Sequence, residues 1–188
     1  MSTGRITLYV AASVDGFIAA PDGGVEWLDE YQRETRGADA AADGAGSEPG
    51  GYDEFFATVE CLVMGSTTYE QVRSFGAWPY GETPTYVLTR RKRERASDAV
   101  EFVEGDVDVL ATRLCDEYDH VWLIGGADVA RAFLRAGRVD ELRLSLIPVL
   151  LGRGIPLFGD DDERRGLRLL ASTTRETGVV ELRYAVEA

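Results

Sequence analysis

Between Val121 and Leu134 the chain reads VWLIGGADVARAFL: a short apolar run stops at two glycines, and a pattern of helical period begins at once. The segment reads as a strand, a tight turn and a helix N-terminus. After Gly126, Val129, Ala130, Phe133 and Leu134 fall on one helical face, and the helix is expected to end near Gly137. Gly125 and Gly126 let backbone approach a ligand with no Cβ in the way, and the first N–H groups of a helix have no intrahelical partner, so the turn suits a phosphate. A Gly-Gly turn also arises for steric reasons alone. This segment taken singly leaves both readings open.

Strands and helices alternate through the rest of the chain. Ile6 to Ser13 reads as a buried first strand, followed by turn signals at Asp15-Gly16 and Pro21-Asp22-Gly23-Gly24. Asp53 to Glu60 reads as a short helix, with Asp53 placed as its cap and Phe55, Phe56 and Val59 on its apolar side. Cys61 to Met64 is a second apolar strand ending at Gly65. Thr67 and Glu70 then have capping-box spacing, which predicts a helix directly after that strand. Thr85 to Thr89 and Val100 to Val103 read as strands. Asp106 to Tyr118 is an amphipathic helix with Val107, Leu110, Leu114, Cys115 and Tyr118 on one stripe. Glu141 to Leu151 is strand-like, and Leu167 to Thr174 with Val179 to Val186 flank Glu176-Thr177-Gly178 as an antiparallel hairpin. This order predicts an α/β fold whose sheet is parallel through most of its body, with antiparallel strands at one edge.

Composition narrows the classes of function. The 188 residues are enough for one domain with a sizeable core and show no composition break, so 1–188 reads as a single domain; the small, polar stretch 37–51 reads as a flexible insertion, either a surface loop or a lid. A 45% hydrophobic content with three Trp, eight Tyr and seven Phe is not that of a disordered chain. No run reaches the roughly 18 apolar residues of a membrane helix, and MSTGRITLYV alternates like a strand rather than a signal peptide, so the expectation is a cytoplasmic protein with no membrane partner. A formal charge of −13 repels a phosphate backbone and argues against nucleic acid; any anionic ligand must be held locally. Arg90, Arg91, Lys92, Arg93 and Arg95, just past a predicted strand, are the local concentration of cations, suited to an anion seat or to a solvated loop balanced by acids. Cys61 and Cys115 read as packing thiols, and one histidine, His120, gives no metal cluster.

AASVDGFIA at Ala11 to Ala19, VMGSTTYE at Val63 to Glu70, IGGADVARAFL at Ile124 to Leu134 and ELRLSLIPVLLGRGIPLF at Glu141 to Phe158 follow one another in an order that resembles the dihydrofolate reductase-like superfamily. Within it, the chain is similar to stand-alone relatives of the reductase domain of the riboflavin-biosynthesis deaminase-reductase. The resemblance implies NADPH as cofactor, with NADH as the alternative. It places the pyrophosphate at Gly125, Gly126, Ala127, Asp128 and Val129, and an acid in that first turn should point its side chain away from a phosphate. It places the adenosine half at Gly65, Ser66, Thr67 and Thr68, with Leu88, Thr89 and Arg90 as the next cofactor segment. Ser66 stands where a basic residue commonly follows the glycine, so Arg90, Arg91 or Lys92 must supply any charge for a 2′-phosphate. Ala11 and Ile18 would border the nicotinamide. Asp15, Trp27, Phe56 and Ser145 would line the substrate pocket, and Asp53 is the available acid on the helix before the Met64-Gly65 strand.

The expectation is hydride transfer to a C=N or C=O bond of a small heterocycle of the pteridine or ribosylaminopyrimidine kind, with proton delivery by solvent or Asp53. Reduction of an unrelated metabolite, a nucleotide-binding module without turnover, and an interaction protein using a sheet edge are the alternatives. The apolar run Leu144 to Leu151 and the resemblance both point to a homodimer.

Overall fold

The computed structural model describes residues 4–28, 51–91, 93–159 and 164–187. The expected insertion at 37–51 lies outside them except for Gly51, and so does Lys92. An eight-stranded sheet organises the chain. Its strands are β1 (Arg5–Ser13), β3 (Cys61–Gly65), β4 (Thr85–Leu88), β5 (Val100–Val103), β6 (His120–Gly125), β7 (Glu141–Ile147), β9 (Leu167–Thr174) and β10 (Val180–Val186). They lie in the order β5-β4-β3-β6-β1-β7-β10-β9, and β2 (Phe17–Ala19) pairs with β8 (Ile155–Pro156) in a small separate sheet. Pairing is parallel from β5 to β7, and β10 runs antiparallel to both of its neighbours. The mostly parallel sheet and its C-terminal antiparallel pair are as the strand–helix alternation predicts.

Helices cover both faces. On one side, α3 (Val107–Glu117) and α4 (Ala127–Arg135) pack over Ile6, Leu8, Val63, Val121 and Leu123. On the other, α1 (Tyr52–Ala57) and α2 (Ser66–Ser74) pack over Leu62, Met64, Val87 and Trp122. Burial on both faces explains why β3 is apolar without alternation: all five of its residues are buried. α4 places Ala127, Ala130 and Phe133 in the core at three-residue intervals, with Val129 and Leu134 partly buried beside them. Asp106 caps α3 by accepting the Asp108 N–H at 2.7 Å.

Three local expectations are corrected. Asp53 does not cap α1: Gly51 is the N-cap residue, with no side-chain cap, and Asp53 lies exposed in the first turn, where a carboxylate still favours the helix dipole. The Thr67–Glu70 capping box does not form, because the helix starts two residues earlier with Gly65 as its N-cap, and Glu70 pairs with Arg73 and Arg93 instead. β7 ends at Ile147 rather than Leu151, since Pro148 has no N–H to continue a ladder. β7 is also an interior strand between β1 and β10, so the apolarity of Leu144 serves the chain's own core; the sheet edge on that side is β9.

Candidate functional site

The glycine turns meet at the C-terminal ends of adjacent parallel strands. Met64 of β3 pairs with Gly125 of β6, Gly65 pairs with Leu88 of β4, and a bulge at the β3–β6 pairing puts an extra β6 residue, Ile124, just before the turn. β6 lies between β1 and β3 although it is made after β5, so chain direction across the sheet reverses here. In open α/β sheets, crevices form at the carboxyl ends of strands at such reversals. A Cβ added to Gly65 would lie 2.9 Å from Val129 Cγ2, and one added to Gly126 would lie 3.2 Å from Thr68 Oγ1. The first turns of α2 and α4 are thus packed side by side, and glycine is what lets them approach.

Neither helix carries a side-chain cap, so the N–H groups of both first turns are left without one at the same crevice. Gly125 has φ +112°, a conformation that favours glycine, and a Cβ there would enter open space with no atom within 4 Å. The Gly125–Gly126 peptide is cis. The Asp128 side chain is 99% exposed and pairs with Arg131 at 2.9 Å. Just past β4, the Thr89 hydroxyl oxygen accepts the Arg91 N–H at 3.1 Å and fixes a turn that leaves Arg90 and Arg91 exposed. Neither arginine forms an ion pair among the described residues, whereas Arg93 is held by Glu70. Open space beside Gly125, two uncapped helix tips and free guanidinium groups fit a nicotinamide dinucleotide.

The other expected site residues lie further along the same strand ends. Ala11 of β1 pairs with Ser145 of β7, so the residue expected beside a nicotinamide adjoins the one expected beside a substrate. Ile18 is partly buried in β2, and the Trp27 indole N–H is buried with no hydrogen-bond partner among the described residues. Phe56 belongs to an aromatic group with Tyr52, Tyr80 and Trp122, at centroid distances of 6.0, 6.1 and 6.2 Å. Asp15 does different work from a ligand contact. Its Oδ1 accepts from the Ser13 hydroxyl and the Leu151 N–H, and Oδ2 accepts from the Gly152 N–H at 2.7 Å. These bonds, the Ser13 hydroxyl first, hold its carboxyl below the usual range and clamp the β1–β2 loop to the turn after β7. Asp53 is exposed on α1.

Three polar residues absent from the sequence reading adjoin Ser145 on one face of the sheet. Tyr9 donates to Glu181 Oε2 at 2.9 Å, while Arg143 donates to Glu181 Oε1 through Nε at 2.9 Å and Nη2 at 2.6 Å. The Arg143 and Glu181 side chains are 4% and 6% exposed, and the guanidinium lies 4.6 Å from the Tyr9 ring centroid. Burial, and then the Glu181 charge, raise the Tyr9 phenol above its ordinary range. The alternation of a strand was the available signal: Tyr9 precedes Ala11 by two, and Arg143 precedes Ser145 by two, so each pair shares a face. Among the described residues, no group of three or more His, Cys, Asp or Glu is arranged to hold a metal ion.

A mostly parallel, doubly covered sheet with its crevice at these strand ends defines a dihydrofolate reductase-like protein, and solved structures agree. The dihydrofolate reductase of Enterococcus faecalis, complexed with NADP(H) and RAB-propyl, matches with a TM-score of 0.64 at 18% identity, over 99% of this chain and 98% of that one. A protein of Shewanella sp. PV-4 whose name links it to riboflavin biosynthesis matches with a TM-score of 0.80 at 25% identity, over 98% and 99%. The chain belongs to the RibD C-terminal domain family, whose model matches residues 5–181. It is also similar to the uncharacterized protein YwjB of Bacillus subtilis (strain 168), at 33% identity over 96% of this chain and 97% of that protein. No described helix is long and apolar enough to cross a membrane.

Proposed function

We propose that this protein is an NADPH-dependent oxidoreductase that transfers a hydride to a C=N or C=O bond of a small heterocycle of the pteridine or ribosylaminopyrimidine kind. The observation that carries this reading is the meeting of the Gly65 and Gly125–Gly126 turns at adjacent strand ends, with Arg90 and Arg91 exposed past the neighbouring strand and in no ion pair among the described residues. Membership of the RibD C-terminal domain family and a fold shared with an NADP(H)-bound reductase support it.

The bound cofactor supplies the hydride; the chain's residues bind, orient and exclude water. In this reading Gly125, Gly126, Ala127, Asp128 and Val129 face the pyrophosphate through backbone. Gly65, Ser66, Thr67, Thr68, Leu88, Thr89 and Arg90 hold the adenosine half. Ala11 and Ile18 border the nicotinamide, Trp27, Phe56 and Ser145 border the substrate, and Asp15 shapes that border through its clamp. The exposure of Asp53 favours solvent as the source of the proton over this carboxylate. The protein works in the cytoplasm as a homodimer.

NADPH and NADH titrations, followed by reduced-nicotinamide absorbance with pterins and pyrimidines, test the reading. Arg90→Ala is expected to weaken NADPH by roughly tenfold or more while changing NADH little, because one guanidinium–phosphate contact is lost. Equal losses for both cofactors would remove Arg90 from the 2′-phosphate site, and absence of binding to either would remove the enzyme reading.

A further inference from the structure

Ser145 stands in a row that crosses three strands: Glu181 of β10 lies opposite it, and Thr173 of β9 lies opposite Glu181. Arg175 follows Thr173 by two and shares its face. Because β7 and β9 both run antiparallel to β10, that step leads towards the carboxyl end of β7, the end at which the glycine turns open. The Arg175 backbone closes the β9–β10 turn, donating to the Val179 carbonyl and accepting from the Gly178 N–H, each at 2.9 Å. Its side chain reaches back over β10, where Nη2 lies 4.0 Å from Glu181 Oε2. That carboxylate is already occupied. Its oxygens accept from Arg143 Nε and Nη2 and from the Tyr9 hydroxyl, at 2.9, 2.6 and 2.9 Å, and the side chain is 6% exposed. At 4.0 Å the Arg175 contact is beyond hydrogen-bond reach, so charge alone draws the guanidinium there. The Arg175 side chain, 29% exposed, makes no hydrogen bond among the described residues.

We propose that Arg175 is a specificity-determining residue of the substrate cleft, and that the heterocycle taken there carries an oxyanion, a carboxylate or a phosphate ester, which occupies the guanidinium that Glu181 has no room to bond. The proposal rests on the reductase reading for the position of the substrate beside Ser145, and adds the charge of the substrate's side group. A guanidinium presents paired N–H groups that match the two oxygens of a carboxylate or a phosphate. The chain's formal charge of −13 repels an anion at long range, so recognition needs a cation at the point of contact. Arg175 supplies one from a hydrogen-bonded turn, one strand spacing from Ser145.

The test compares three fluorescent pterins that differ in the side group: 6-methylpterin, pterin-6-carboxylate and the phosphate ester of 6-hydroxymethylpterin. Affinities are read in the full-length protein and in its Arg175→Gln and Arg175→Lys variants. The unmodified protein is expected to bind at least one anionic pterin roughly tenfold or more tighter than the methyl compound. Which anion binds tighter assigns the group as carboxylate or phosphate. Arg175→Gln should bring anionic and neutral pterins to within about twofold of one another, whereas Arg175→Lys, which keeps the charge but loses the fork, should retain a preference of about threefold or more. Equal affinities in the unmodified protein, binding of no pterin at millimolar concentration, or a preference unchanged in Arg175→Gln would overturn the proposal. So would a preference lost to the same extent in both variants, which is a packing effect. NADPH titrated into the same protein reports separately: binding there beside a failed preference leaves the reductase reading standing, and an anion preference without NADPH binding does the reverse.

Discussion

His120 illustrates how a single side chain can tie two elements together without taking part in chemistry. It opens β6, is 5% exposed, and its Nε2 lies 3.0 Å from Thr7 Oγ1 while Nδ1 lies 2.9 Å from Thr58 Oγ1. It lines a cavity of about 170 Å³ with Arg5 and Arg183 at the start of the strands, the opposite end of the sheet from the glycine turns. Burial first, then the Arg5 charge, lower its imidazolium pKa below the ordinary 6.5. A depressed histidine pKa means that the unfolded chain takes up the proton first on acidification. Stability from this group is therefore complete above about pH 6.5 and is lost as pH falls from there through the lower folded value. Denaturant midpoints measured from pH 8 to 5 should fall on the acid side, and His120→Gln should flatten that part of the profile. A variant with the same pH slope as the parent would remove His120 as its cause. Arg90 is the counterpart at the other end, exposed and in no ion pair among the described residues.

Helix α4 carries the fold and the proposed cofactor seat at once. Its first turn abuts Gly65 and Thr68, and its inner stripe runs through Ala127, Ala130 and Phe133 into the core. Phe133 is fully buried against the sheet face that also holds Leu8, Val121 and Leu123. Truncation to Ala is expected to cost about 3–5 kcal/mol, the transfer term plus a cavity that a close-packed α/β layer cannot close. Chemical denaturation checks this; a loss below about 1 kcal/mol would mean that the helix repacks freely over the sheet. The clamp from Asp15 to Leu151 and Gly152 joins two loops by two hydrogen bonds, with a third from Ser13 orienting the Asp15 carboxylate.

Across the whole molecule, the unpaired edge on the C-terminal side is β9, where Leu167, Leu169 and Leu170 are 46%, 54% and 43% exposed. An open strand edge with three exposed leucines supports the homodimer reading, with this edge in place of the interior β7. Sedimentation across a hundredfold range of concentration should give twice the chain mass at the upper end, and Leu169→Lys should restore the monomer. A mass equal to one chain throughout would remove the dimer. The sequence made the elements legible because their signals are local: a period near two in β1, a period near 3.6 after Gly126, and turn residues at Asp15-Gly16 and Gly178 all lie within a few positions of one another. The glycine turn was legible for the same reason, since a turn needing φ above zero and a close backbone approach leaves glycine as its local mark. The order of the strands had no such mark. Sheet order set Glu181 beside Tyr9 across 172 residues, made β7 interior, and left Asp53 on an exposed helix face. Cross-strand neighbours are fixed by which strands pair and in what register, a property of the assembled sheet that no short window of the chain contains.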